Sequence, residues 1–317
     1  KESLRLFALN QRENGMLEMC APAEYPIYIP IFTLNYVSSV AEYFKFSSDT
    51  EFVKEIFPNV NKIIETFSAK MAENNLLSSF SEPADWNFYE WSSGLDGDNG
   101  VWGKINNYAP NKYEVDVLSA PLNANFSMSL TAFAEICKAL GKPYEEYIAL
   151  RDRINKALSE KFWDSEKLLF CSFVDKGEKK HYAQLTQSLM ICCGAATKEQ
   201  EENAVKYLNG EKTGIVETKL GSTFFRYEAL LKVSKENAAY VFSDIAKRWG
   251  EMLFAGATSF WEDFDCERDP RFIGAGSLCH GWAALPIYFY YAYALGIKPD
   301  SDEKTPLESK IPGVRQQ

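Results

Sequence analysis

Apolar residues recur at three- and four-residue intervals along most of the chain, the period of a helix with one buried face. The pattern predicts helices over roughly 27–46, 50–71, 116–140, 143–161, 182–194, 199–207, 222–233, 235–249 and 280–296. Punctuation supports several of these boundaries. Gly141 follows AEICKAL as a helix stop, and Pro143 stands where the next helix would make its first turn. Ser48 or Asp49 can cap the helix that begins near Glu51, and Gly296 closes YFYYAYAL. The opening KESLRLFAL reads as the middle or end of a helix without a cap.

The helices fall into pairs, joined alternately by short turns and by long loops over 72–115, 162–181, 208–221 and 250–279. Loops of that length in a compact domain usually carry function, and these hold the Gly, Trp and acidic residues. Helical pairs with functional loops gathered at one end imply an all-α toroid. The sequence has no strong fixed-length repeat, which disfavours a regular solenoid. Strand signals are few, and LLFCSFVD at 168–175 reads as part of a minor β-hairpin.

Composition narrows the function classes. The chain has 317 residues, 46% of them hydrophobic, and a formal net charge of -10. A negative balance argues against nucleic acid or an anionic membrane surface as partner, since both select basic patches. No transmembrane run or signal peptide is seen. The seven cysteines (Cys20, Cys137, Cys171, Cys192, Cys193, Cys266 and Cys279) are odd in number and lie mostly in apolar runs. They read as buried free thiols, which favours a reducing, cytoplasmic setting over a periplasmic or secreted one. With two histidines and no C-x-x-C, no metal site is expected, nor any cofactor.

Three stretches carry candidate chemistry. The first is GATSFWEDFDCERDPRFIGAGSLCHGW at 256–282. Sugar hydrolysis ordinarily needs two carboxyl groups, one to protonate the departing oxygen and one to activate water or attack carbon. Glu262 beside Trp261 suits the second role; the bland alternative is that Glu262, Asp263 and Asp265 form a solvated acidic loop. His280 could donate to a sugar hydroxyl or orient Glu262, or could be a satisfied structural histidine. His181 reads as structural or exposed. The second stretch, SEPADWNFYEWSSGLDGDNG at 81–100, interleaves Asp85, Trp86, Glu90 and Trp91. Such interleaving supplies stacking platforms and hydroxyl acceptors, although Phe88 and Trp91 could equally be core. LDGDNG lacks the full ligand spacing of a calcium loop. In the third, LNQRENGMLEMCAPAEYPIYIPIFTLNYV at 9–37, Arg12 and Glu13 read as a surface ion pair.

Taken together, these residues resemble bacterial α-L-rhamnosidases. GATSFWEDFD followed by SLCHGWAALPIYF is similar to that family's late motif; LNQRENGMLEMCAP, IPIFTLNYVSSVAEYF, EFVKEIFPNV and DWNFYEW fit in the same order. QLTQSLMICCGAA and the turn around LGSTFFRYEALLK fit its general pattern. The resemblance implies an (α/α)6 barrel and inverting hydrolysis of terminal α-L-rhamnosides. It implies Glu262 as general base, His280 as a sugar contact, and Asp85 and Trp86 as pocket lining. Trp261, Glu90 and Trp91 complete the candidate binding set.

One departure matters. The family's general acid belongs to an early Arg-Glu motif followed by Gly-Asp, and RENG at 12–15 is not that motif. The acid is therefore expected before Lys1, with Glu90 or Asp85 as substitutes. Residues 1–298 are expected to be a barrel lacking its first helix or helices, and 299–317 a linker toward an absent β-domain. Such a fragment could be inactive alone. Two readings compete: another α/α-barrel glycosidase (unsaturated-uronyl hydrolase or glucoamylase-like), and a non-catalytic carbohydrate-binding helical domain. Few Arg and Lys in the candidate loops count against uronides.

Overall fold

The computed structural model describes residues 1–22, 27–82, 84–97, 117–263 and 277–297. The linker expected at 299–317 lies outside them, as do Asp265, Cys266 and the end of LDGDNG. The helices are α1 (Glu2–Leu9), α2 (Pro30–Ser47), α3 (Thr50–Ala69), α4 (Ala120–Ala139) and α5 (Glu145–Phe162). They continue as α6 (Gln184–Cys193), α7 (Lys198–Leu208), α8 (Thr223–Val233), α9 (Ala238–Phe254) and α10 (Leu285–Phe289).

Burial sorts these helices into two layers. Nine of the ten residues of α6 are buried, as are Asn123, Asn125, Ser127 and Ser129 of α4 among its apolar neighbours. In α5 only Ile154, Leu158 and Phe162 are buried, and in α7 only Gln200, Ala204 and Leu208. Each of these sets is a four-residue repeat, the single stripe of a helix with one face in water. Helices buried all round must lie inside. Accordingly α2 packs on α4, α4 on α6 and α6 on α8, and Phe289 of α10 meets Phe224 and Tyr227 of α8. The even-numbered helices thus form an inner row. Outside it, α3 lies on α2 and α4, α5 on α4, α7 on α6 and α8, and α9 on α8. This is the all-α toroid of hairpins. Full burial of each large apolar side chain contributes about 1.5–3 kcal/mol.

The buried polar residues of the inner helices fasten loops. The Asn123 amide exchanges two hydrogen bonds with the backbone of Leu77 (2.7 and 2.9 Å), and Gln187 does the same with Phe170 (3.0 and 2.7 Å). A side-chain amide that pairs with one peptide leaves neither group unsatisfied, which is why burial is tolerated.

Helix ends follow local chemistry. Asp49, not Ser48, caps α3 by accepting from the Phe52 amide at 3.0 Å; Ser48 ends α2 in the left-handed region at φ 53°. Helix α9 runs to Phe254, beyond the 249 expected, because Gly250 is tolerated inside a helix. The 280–296 helix is shorter than its pattern. A 3-10 turn over Gly281–Ala284 precedes α10, whose start is set by Pro286, and a π turn over Tyr290–Ala294 follows.

The 168–175 run divides between two small sheets. Strand β3 (Leu169–Phe170) pairs with β2 (Trp163–Asp164), whereas β4 (Phe173–Asp175) forms a hairpin with β5 (Glu178–Lys180) and also pairs with β1 (Leu118–Ser119). Ser172, at the division, turns its hydroxyl to Thr186 (2.6 Å) and His181 (2.9 Å). Two cysteine expectations need correction: Cys20 and Cys279 are exposed, whereas Cys137, Cys171 and Cys193 are buried.

Candidate active site

The long connections meet one another through the segment 84–97. From the α1–α2 connection, Tyr28 pairs with Asp85 as an isolated bridge. From the α5–α6 connection, His181 reaches the Ser93 carbonyl through Nε2 at 2.8 Å. From the α7–α8 connection, the Lys219 amide donates to Glu90 at 2.9 Å. From the α9–α10 connection, Glu262 accepts from the Trp91 indole N–H at 3.0 Å. The short turns at 48–49, 140–144, 194–197 and 234–237 join the opposite helix ends.

Glu262 stands at this convergence. Its backbone is fixed from both sides: its amide donates to the Ser277 carbonyl at 2.8 Å, and its carbonyl accepts from the Trp282 indole at 2.7 Å. Its carboxylate takes Trp91 Nε1 on Oε1 and the Ser277 amide on Oε2 at 3.0 Å. His280 Nδ1 lies 3.8 Å from Oε2, and its ring lies 4.2 Å from that of Trp282. The Glu262 side chain keeps 12% of its exposure. Each oxygen therefore has one donor and a second lone pair in a partly wet setting. The geometry leaves a carboxylate that can still accept a proton.

The other candidates divide. Trp91 is half-buried and packs on Trp86 and Phe88 with ring centroids 5.9 and 4.7 Å apart. Trp86 is buried, and its indole N–H is spent on the backbone carbonyls of Asp96 (3.0 Å) and Gly97. Gly97, at φ 50°, permits this approach, since a Cβ there would stand 2.2 Å from the Asn87 carbonyl oxygen. Trp261 is buried in the second apolar cluster. Glu262, His280, Trp91 and, through ring contact, Trp86 are thus brought together.

Asp85 and Glu90 are not joined to Glu262 by any hydrogen bond or ion pair. Asp85 is buried and accepts from the Glu82 amide at 3.1 Å; burial pushes its pKa up to about 6, partly offset by that amide and by Lys70. Glu90 is buried too. It accepts from the Ser92 hydroxyl (2.7 Å), the Lys219 amide and the Ser222 hydroxyl. Burial pushes it up to about 7, with the nearby Asp263 adding to the rise and the three donors opposing it.

Two readings of the acidic stretches are corrected. Asp263 is not solvated: its side chain is 1% exposed, with Lys219 Nζ 3.0 Å away. Arg12 pairs with the buried Glu18, not with Glu13, which is exposed. His181 is structural. Burial lowers its pKa, and its neutral ring donates from Nε2 to Ser93 while Nδ1 accepts from Ser172. Sequence reasoning overlooked Trp282, Ser277 and Lys219. Trp282 adjoins His280 in CHGW and was legible there; a backbone amide and a distant lysine leave no such signal. No group of acidic, His or Cys residues suited to a metal occurs among the described residues.

Residues 1–294 match the model of the bacterial alpha-L-rhamnosidase 6 hairpin glycosidase domain. The chain belongs to this family. Comparison with curated proteins gives no match. Among solved structures, it is similar to the GH78 family rhamnosidase of Bacillus sp. GL1 (TM-score 0.79, 24% identity), covering 94% of this chain and 30% of that one. A rhamnosidase from Klebsiella oxytoca with rhamnose bound gives a TM-score of 0.70 at 18% identity, covering 92% and 53%. A GH63 mannosylglycerate hydrolase from Thermus thermophilus gives 0.62 at 17% identity, covering 90% and 86%. At such identities the likeness shows the six-hairpin fold. The chain spans less than a third of the Bacillus protein and about half of the Klebsiella one.

Proposed function

We propose that this six-hairpin domain belongs to a glycoside hydrolase that cleaves terminal α-L-rhamnosides with inversion, Glu262 acting as general base. The observation that carries the reading is the Glu262 carboxylate. It is held by two N–H donors, flanked by His280 and Trp91, and still open at the meeting point of the loops. In this reaction Glu262 takes a proton from water as the water attacks the anomeric carbon. Trp91 supplies an indole edge, and His280 donates to a sugar hydroxyl or holds the carboxylate. Trp86 and Trp261 act from behind, as the buried support of Trp91 and of the Glu262 backbone.

Inversion needs a second carboxyl group roughly 6.5–9.5 Å from the first, leaving room for water. Among the described residues neither Asp85, Glu90 nor Asp263 offers an open carboxyl to Glu262. The acid of this reading is therefore a residue other than these three, and RENG at 12–15 lacks the family's acid motif. Lys219, bound to Asp263, gives little purchase for an acidic sugar, which favours a neutral substrate.

The test is a panel of aryl glycosides given to the full natural polypeptide that contains these residues. Release from the α-L-rhamnoside alone, with inverted product seen by proton NMR, is expected. Preference for an α-glucoside or α-mannoside would replace the substrate assignment. No cleavage and retained rhamnose binding would support a carbohydrate-binding domain instead.

A further inference from the structure

Glu90 is a buried acid whose two oxygens are both taken by hydrogen bonds. We propose that Glu90 is a positioning residue that fixes Glu262 by clamping the 219–222 turn against the 84–97 segment; this rests on reading Glu262 as the base.

Three connections run from Glu90 to Glu262. The first is its own peptide bond to Trp91, whose indole donates to Glu262 Oε1 at 3.0 Å. The second begins at the Lys219 amide on Glu90 Oε1. The ammonium of the same Lys219 lies 3.0 Å from Asp263 Oδ2, on the residue after Glu262. The third passes through the turn itself. Ser222 donates to Glu90, and Gly221 lies so close to the Trp282 ring that a Cβ there would stand 2.9 Å from it. The Trp282 indole then donates to the Glu262 carbonyl. Glu262 is therefore gripped at its carboxylate, its carbonyl and its neighbour by parts that all hold to Glu90.

A carboxyl in this place is hard to replace with an apolar side chain. It accepts from one backbone amide and two hydroxyls in a buried setting, and each donor would otherwise be left unsatisfied at a cost. Of the charged groups near it, Asp263 disfavours a second negative charge, and Lys219 Nζ lies 3.0 Å from Asp263 Oδ2. Glutamine preserves the acceptor for the Lys219 amide, and Ser92 can reverse its hydroxyl to receive the new N–H. Alanine preserves nothing, so the turn and the Trp91 segment would separate. Trp91 would leave Oε1, and the Glu262 carboxylate would lose one of its two N–H donors.

The experiment compares Glu90→Gln and Glu90→Ala by carbon-13 NMR of labelled glutamate carboxyls, with Glu262→Gln assigning the Glu262 signal. In Glu90→Ala the Glu262 carboxyl signal should shift from its wild-type position at fixed pH, because Oε1 loses the indole N–H of Trp91. The Trp91 indole N–H should also move and exchange faster with solvent. In Glu90→Gln both signals should stay near wild type. A folded Glu90→Ala protein with unchanged Glu262 carboxyl and Trp91 indole signals would overturn the proposal. Should the alanine variant not fold, Glu90→Asp withdraws the carboxyl by one methylene and is read in the same way: shifted Glu262 carboxyl and Trp91 indole signals support the clamp, and unchanged ones overturn it. These signals do not depend on turnover. If Glu262→Gln kept full activity, the base assignment would fail while the Glu90–Glu262 coupling could still be seen.

Discussion

Glu90–Trp91 and Trp261–Glu262 are the same two residue types in opposite order, and they meet across the loops. In the first pair the acid is buried and the tryptophan half-exposed; in the second the tryptophan is buried and the acid partly open. The Trp91 indole donating to Glu262 joins the two partly open members. The difference lies in what receives each acid. Glu90 turns to three donors, two of them in the 219–222 turn, and is buried. Glu262 turns to one indole and one amide and keeps a free lone pair on each oxygen. Residue type thus does not decide which acid can do chemistry; satisfaction and access do.

The largest expected effect separates the two acids directly. Glu262→Gln removes the proposed base and should lower kcat in the natural polypeptide about 10²–10⁴-fold, with rhamnose binding kept. Glu90→Gln should leave kcat within a few-fold of wild type. Stopped aryl-glycoside assays at saturation check both. Equal loss in the two variants would abolish the distinction, and survival of turnover in Glu262→Gln would remove the base.

Much of this arrangement was legible in the sequence, for identifiable reasons. The one-sided stripes of α5 and α7 are written as apolar periodicity, whereas the buried Asn123, Asn125, Gln184 and Gln187 of α4 and α6 are not. Long loops between helix pairs pointed to one functional end. Glu262, His280 and Trp91 lie in aromatic-acidic stretches that chemistry singles out, and the structure brings them together. Glu90 and Asp85 sit in such a stretch too, yet both are buried against backbone amides. Their partners, Lys219 and Glu82, carry no pattern that marks them. Residues 129 positions apart, such as Glu90 and Lys219, become neighbours only through tertiary packing. The π turn after α10 and the division at Ser172 depend likewise on contacts that periodicity does not encode.

A second effect sharpens the contrast through pH. The folded-state pKa of Glu90 is raised by burial, from the ordinary 4.5 to about 7. The folded protein therefore holds this proton more tightly than the unfolded chain. The stabilisation is complete below about 4.5 and is lost as pH rises through about 7. Its full size is on the order of 3 kcal/mol. Asp85, pushed up to about 6, acts in the same direction over a lower range. Melting temperature should fall from pH 5 to pH 7.5 in the wild type. Glu90→Gln should flatten that fall and leave the smaller part due to Asp85. An unchanged slope would mean that Glu90 is not held protonated by burial.

The smallest effect tests the tryptophans. Trp261 lies in the apolar cluster with Trp249, Leu285 and Phe289, so Trp261→Phe removes packed volume. It should lower stability by about 1–3 kcal/mol, the usual range for a poorly filled core position, while the Glu262 carboxyl keeps both donors. Trp91→Phe should do the reverse. Phenylalanine retains much of the ring contact with Trp86 and Phe88 but has no N–H for Oε1. Loss of a hydrogen bond to a charged group is worth about 1.5–3 kcal/mol, and water can replace the indole at this partly open carboxylate. The change in turnover should therefore lie at the low end, roughly tenfold, with the Glu262 carboxyl signal shifted and the melting temperature nearly unchanged. Urea unfolding and carbon-13 carboxyl spectra of both variants at fixed pH decide the matter. If Trp261→Phe moved the Glu262 carboxyl signal more than Trp91→Phe, the division into a buried support and a working edge would have to be reversed.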